Sequence, residues 1–302
     1  MTRRSVLATL AAAATGLLAA CSTVGSGVGG ATPAARPGTP GPTTLRYGPD
    51  PAQYAVLHLP PPGAPGPLPV VVVLHGGYWR AQYGLELGEP LAVDLTNAGV
   101  AALNVEYRRV GAGGGFPTTL DDVAAAVDLL AGTAAEAARG AGQALDPGRV
   151  VLLGHSAGGQ LAAWAGSRSR LQRPSPGAAP RVAPRGVVTQ AGVLDLVAGA
   201  DQGLGAGAVV DLLGGPPTTQ AARYAVASPA ALVPAPCPVV AVHGTADATV
   251  PIDQSRRYVA AATAARGQAR LVELPGVDHF QLIDPATAAW RSVRDEVMGL
   301  LG

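Results

Sequence analysis

The sequence predicts an α/β fold, a mostly parallel sheet with helices on both faces, carried by one domain over residues 45–302. Three observations predict it. Runs such as Val70, Val71, Val72, Val73 and Leu74 are apolar without alternation, as in strands buried on both faces. Such runs alternate with segments of helical period, for example Leu120, Val123, Ala124, Val127 and Leu130; that order favours parallel strands joined by crossover helices. Finally, 48% of the residues are hydrophobic, enough for a large core and too many for a disordered chain.

Taken in order, residues 54–59 read as an antiparallel edge strand, and 70–74 and 100–107 as buried strands. A helix follows over 120–130, with Asp121 and Asp122 in its first turn, where the helix dipole favours acids. Residues 150–153 form the next strand, and a helix begins at about Ala157. Further strands are expected at 186–189, 238–242 and 269–273, with helices over 252–265 and 286–301. The stretch 193–235 fits this alternation poorly and reads as a small insertion over the carboxyl edge of the sheet.

Residues 1–20 read differently. Arg3 and Arg4 precede an apolar run over 6–20, shorter than the roughly 20 residues that span a bilayer and suited to a secretory signal. Leu18, Ala19, Ala20 and Cys21 resemble the bacterial lipobox, which implies a lipid on Cys21 and an extracytoplasmic product anchored to the membrane. The segment from Thr2 to Leu7 resembles a twin-arginine export signal, departing from it at Val6 and then at Ala8. Residues 21–44 are nearly all Gly, Pro, Ser, Thr and Ala and read as a flexible linker. Gly25, Gly27 and Gly30 spell a dinucleotide fingerprint, but no strand precedes them, so it is set aside.

Composition removes several classes. The 21 basic residues, all Arg, face 20 acids for a net charge of +1; no basic excess exists to hold phosphates, and no nucleic-acid partner is expected. Two Cys and no CxxC pair exclude a disulfide scaffold and a zinc cluster. With Cys21 lipidated, Cys237 is left without an intramolecular partner. No HExxH or P-loop occurs, and neither metal nor cofactor is expected.

The chemistry begins at Gly154, His155, Ser156, Ala157, Gly158 and Gly159. This is G-x-S-x-G between a strand and a helix, the context in which the serine hydroxyl stands clear above the sheet. A serine needs a base, and in this setting the chain order is serine, acid, histidine. Of the five histidines only His243 and His279 follow Ser156. His243 ends a strand, so His279, in the loop after the last strand, is the expected base. The expected acid is Asp247, after the penultimate strand; Asp195 is its competitor, and Asp278 is badly placed to orient its neighbour. Oxyanion donors are expected from the N–H of Ala157 and from the loop His75, Gly76, Gly77, Tyr78, Trp79. Tyr78, Trp79 and Phe280 are expected to wall a narrow substrate pocket.

Together these motifs resemble the α/β-hydrolase superfamily, specifically its serine carboxylesterases and arylformamidases with an HGG-x-W loop, from about residue 45 to 301. Tyr107, Arg108 and Arg109 with Pro117, Asp121 and Asp122 resemble the segment after the fourth strand in that group and are read as structural. Tyr78 departs from the pattern, since many members have a third glycine there; the second oxyanion donor stays open among Gly76, Gly77 and Tyr78. The resemblance implies hydrolysis of small-molecule carboxylic esters through an acyl-enzyme on Ser156. The alternatives are an arylformamidase-like amidase and a catalytically silent binding protein of the same fold.

Overall fold

The computed structural model describes residues 31–63 and 66–302. The expected signal over 1–20, the expected lipid site at Cys21 and the linker as far as residue 30 lie outside the described residues.

Eight strands make one sheet: β1 (Thr43–Arg46), β2 (Tyr54–His58), β3 (Leu68–Leu74), β4 (Ala101–Val105), β5 (Leu145–His155), β6 (Gly186–Gln190), β7 (Val239–Gly244) and β8 (Ala269–Leu274). Their spatial order is β1-β2-β4-β3-β5-β6-β7-β8. Neighbours from β4 to β8 run parallel, while β2 is antiparallel to both β1 and β4. The valine run is central: Val72 sits opposite Leu103 on one side and Leu152 on the other. Burying such a side chain stabilises by roughly 1.5–3 kcal/mol, so the loop leaving β3 starts from a fixed base.

β2 is not the edge strand that the sequence suggested. β1 lies outside it, and of the four residues of β1 only Leu45 is buried. With one apolar position inward, β1 gives almost no periodic signal.

Nine α-helices are described: α1 (Glu89–Asn97), α2 (Thr118–Asp128), α3 (Thr133–Gly140), α4 (Ala157–Gly166), α5 (Leu196–Asp201), α6 (Leu204–Leu213), α7 (Pro217–Ala227), α8 (Asp253–Ala264) and α9 (Ala288–Leu301). Leu91 and Leu95 of α1 join Trp290, Val293 and Val297 of α9 under one face of the sheet. Val123 and Val127 of α2, Leu161 and Trp164 of α4, and Tyr258 of α8 pack on the other. This is the mostly parallel, doubly covered sheet of an α/β-hydrolase fold.

The poorly patterned stretch supplies α5, α6 and α7. It reaches the loops leaving β3 and β4: Arg80 donates to the Ala206 carbonyl at 3.2 Å, and the Phe116 N–H to that of Leu212 at 2.7 Å. The insertion therefore does sit over the carboxyl ends of the strands. Before β1, the chain lies against α1, where the Arg36 N–H donates to Asn97 Oδ1 at 3.0 Å and Asn97 Nδ2 to the Ala34 carbonyl at 2.9 Å. Among the described residues no helix is long and apolar enough to cross a membrane.

Candidate active site

Ser156 is the single residue between β5 and α4, with φ 56° and ψ −118°. A residue with a Cβ is strained at positive φ, and hydrogen bonds on both sides hold it there. Its N–H donates to the Gln190 carbonyl at 2.8 Å, and its own carbonyl accepts the Val193 N–H at 3.2 Å. The glycine two residues on serves the same turn: a Cβ on Gly158 would strike the Leu74 carbonyl oxygen. Only without that carbon can α4 start so close to the end of β3.

The loops after β7 and β8 bring Asp247 and His279 together, with His279 Nδ1 2.6 Å from Asp247 Oδ2. Asp247 Oδ1 accepts the N–H groups of Thr249 and Val250, each at 2.8 Å. His243 Nε2 stands 3.3 Å from Asp247 Oδ2; its ring is tied to Ser255 and to the Val250 carbonyl, which keeps it in a structural role. Burial pushes the Asp247 carboxyl up, but hydrogen bonds from His243 and His279 outweigh it and hold the group well below the usual carboxylate range. Asp195 takes no part. It caps α5, accepting the Ala198 N–H at 3.1 Å. Asp278 accepts the N–H groups of Phe280 and Gln281, both at 2.9 Å, and so shapes the turn that carries His279.

His155 supports that turn from below. Its Nε2 lies 2.9 Å from the His279 carbonyl, which can only accept, so Nε2 carries the proton. The two rings lie 4.4 Å apart. Burial, with the His279 charge adding to it, lowers the His155 pKa to about 3, so this ring is neutral. Nothing in the sequence distinguishes the middle residue of a serine motif as a prop for the base; the contact spans 124 positions.

The loop leaving β3 takes three consecutive positive φ values: 102° at Gly77, 53° at Tyr78 and 56° at Trp79. Glycine is required at the first, because a Cβ there would run into the Tyr83 ring. Among the described residues no acceptor takes the N–H of Gly76, Gly77 or Ala157. The Ala157 group also opens α4, whose dipole adds positive potential. Gly76 is buried against His155 and Ser156, whereas Gly77 lines the cavity, which favours Gly77 as the second donor.

That cavity has a volume of about 250 Å³. Ser156, His279 and Gly77 stand on it with Tyr78, Phe280, and five residues not expected there from the sequence: His155, Tyr83, Leu87, Thr249 and Ile283. Thr249 lies in the acid loop and Ile283 follows Phe280 closely, but no pattern marks either as a wall. Tyr78 also ties two loops together, its hydroxyl donating to the Thr249 carbonyl at 3.0 Å. Trp79 requires a correction. It is 0% exposed and belongs to the core, because the positive φ turns it inward and its Nε1 donates to Gln160 Oε1 at 3.0 Å. It holds the loop and does not wall the cavity. Phe280, 45% exposed, forms part of the rim.

Among the described residues no group of three or more His, Cys, Asp or Glu is arranged to hold a metal ion. Cys237 is a buried free thiol, and burial pushes its pKa up to about 11.

Residues 57–261 match the profile of the BD-FAE family. No curated protein matches the chain. Among solved structures, a truncated carbohydrate esterase from gut microbiota superposes with a TM-score of 0.74 at 20% identity, covering 88% of this chain and 98% of the other. Esterase B of Lactobacillus rhamnosis gives 0.73 at 17% identity, over 88% and 86% of the two chains. A propionate-bound esterase of Thermogutta terrifontis gives 0.66 at 21% identity, over 87% and 94%.

Proposed function

Because the chain belongs to the BD-FAE family, we propose that it is a serine hydrolase that cleaves carboxylic esters of small acyl groups through an acyl-enzyme on Ser156. The observation that carries this reading is the Asp247–His279 pair, at 2.6 Å, set on the same cavity as a serine held at a strained positive-φ turn. The esterases that share the fold support it. In this reading the HGG-x-W segment, as in serine carboxylesterases, is the oxyanion loop.

Nδ1 of His279 is engaged by Asp247, which leaves Nε2 to take the proton of Ser156 as its Oγ attacks the acyl carbon. Asp247 stays ionised, fixes the tautomer and stabilises the imidazolium that forms. The negative oxygen of the tetrahedral intermediate is received by the free N–H groups of Ala157 and Gly77. Collapse expels the alcohol, which leaves with the proton from His279. Water repeats the cycle on the acyl-enzyme, with His279 again as base. A cavity of about 250 Å³ is below the usual range for drug-sized ligands, which suits short acyl groups, and the Thermogutta esterase was captured with propionate.

The test is a series of esters from acetyl to long-chain, with an aryl formamide beside them, given to the wild-type protein and Ser156→Ala. Short esters should be preferred and Ser156→Ala inactive. Preference for long chains would remove the small-acyl reading, preference for the formamide would make the protein an amidase, and turnover by folded Ser156→Ala would remove the nucleophile. We also propose that residues 1–20 direct export and that Cys21 carries a lipid, holding the catalytic domain outside the cytoplasm on a tether. That tether ends earlier than the expected residue 44, since the chain already packs on α1 at Ala34 and Arg36 and enters β1 at Thr43. Cys21→Ser should abolish incorporation of labelled fatty acid; unchanged incorporation would contradict it.

A further inference from the structure

We propose that His75 is held as an imidazolium by Glu106, and that this buried ion pair is the positioning device that aims the Gly77 N–H at the oxyanion. The proposal rests on the hydrolase reading above and deepens it. His75 is 2% exposed and Glu106 5% exposed, and the proposed triad makes no use of either.

The first step is geometric. His75 Nδ1 lies 2.8 Å from the carbonyl oxygen of Gly76. A carbonyl only accepts, so Nδ1 carries a proton. The C=O of Gly76 and the N–H of Gly77 belong to one trans peptide unit and point in opposite directions. Drawing that C=O to His75 therefore turns the Gly77 N–H away from His75, and Gly77 lines the cavity beside Ser156.

The second step concerns charge. His75 Nε2 lies 3.2 Å from Glu106 Oε1. Glu106 meets only donors otherwise: the Tyr107 N–H at 2.8 Å, the Leu85 N–H at 3.0 Å and Arg109 at 3.1 Å. Both carboxyl oxygens of Glu106 are therefore occupied by donors other than His75, which leaves no place for a carboxyl proton and holds the group as the carboxylate. An ionised carboxylate accepts on every side, so Nε2 must also carry a proton. Protonated at both nitrogens, His75 is a cation.

The surroundings fix this cation in place. The Tyr107 ring stacks on the imidazole with centroids 4.3 Å apart and planes 6° apart, and its hydroxyl donates to the His75 carbonyl at 2.8 Å. Across Gly76 stands His155, which is neutral. Two cations, His75 and Arg109, thus share the Glu106 carboxylate, and the Glu86 carboxylate stands beside the same cluster at Gly84. The pair therefore acts on the oxyanion through the direction of the Gly77 peptide rather than through a net charge.

Two measurements test this. Long-range ¹⁵N–¹H spectra of the wild-type protein, with His75 assigned by its loss in His75→Asn, should show both ring nitrogens protonated at neutral pH. A neutral single-tautomer pattern would overturn the proposal, and this holds whatever the protein hydrolyses. In Glu106→Gln, kcat should fall by on the order of 10²-fold with KM held within about twofold, while a fluorophosphonate still labels Ser156. Unchanged kcat, or a loss confined to KM, would also overturn it. If wild-type Ser156 takes no label, the hydrolase reading fails and the ring spectrum still decides the charge of His75. The spectrum decides as well if Glu106→Gln does not fold.

Discussion

On one side of the cavity, Asp247 and His279 meet through their side chains across 32 residues of chain, each from a loop at the end of a strand. On the other, the segment from His75 to Trp79 offers the cavity peptide N–H groups, and its direction is set by three positive φ values and by buried props: His75 against Gly76, Trp79 against Gln160 and Tyr78 against Thr249. The first side is specified by which residues are present. The second is specified by how the backbone is bent. A change of functional group should therefore disable the first side without disturbing the fold, whereas damage to the second should come from substitutions that leave every functional side chain of the triad in place.

The sharpest break in that comparison is Asp247→Asn, which keeps shape and removes charge. We expect turnover to fall on the order of 10⁴-fold, by analogy with the serine-protease triad, with Asp195→Asn near wild type; equal losses in steady-state kinetics would remove the assignment. Next is Trp79→Ala. Because Trp79 is a core residue, it should cost about 3–5 kcal/mol of unfolding free energy in denaturant titrations and leave acyl-length preference unchanged. A stable variant with relaxed preference would return Trp79 to the pocket. Gly77→Ala follows. Its Cβ meets the Tyr83 ring at a φ of 102°, so kcat should drop by roughly 10²–10³-fold, as for the loss of an oxyanion donor. The low-field proton signal of the Asp247–His279 bond should persist, and its disappearance would show that the two sides are not separable.

Per pH unit, the smallest effect is on stability. The His155 pKa is depressed from 6.5 to about 3 in the folded protein, so the unfolded chain binds the extra proton between those values. Stability should be full above about 6.5 and decline as pH falls toward about 3, by up to ~1.4 kcal/mol per pH unit. The depressed Asp247 carboxyl adds a loss of the same sign below the usual carboxylate range. Thermal melts of His155→Gln should show a flatter decline between 6.5 and 3; an identical slope would contradict a neutral buried His155.

The same contrast explains what the sequence made legible. Ser156, Asp247 and His279 could be chosen from residue type, chain order and position at strand ends, because few residues can do that chemistry. The valine strand and most helices showed through their periods. The Glu106–His75 contact did not, since its residues are 31 apart and neither belongs to a motif as a pair. Trp79 misled because an aromatic beside glycines reads as a wall until its φ is known. α1 was missed because Glu89 and Pro90 open it with no capping side chain, and β1 because three of its four residues face solvent.

The central claim is that one serine, Ser156, carries the acyl group. A fluorophosphonate added to the wild-type protein, followed by intact mass measurement and peptide mapping, tests it directly. A single adduct on Ser156, formed in step with the loss of esterase activity and absent from Ser156→Ala, is the predicted result. An adduct on another residue, or full esterase activity in protein already labelled at Ser156, would contradict it.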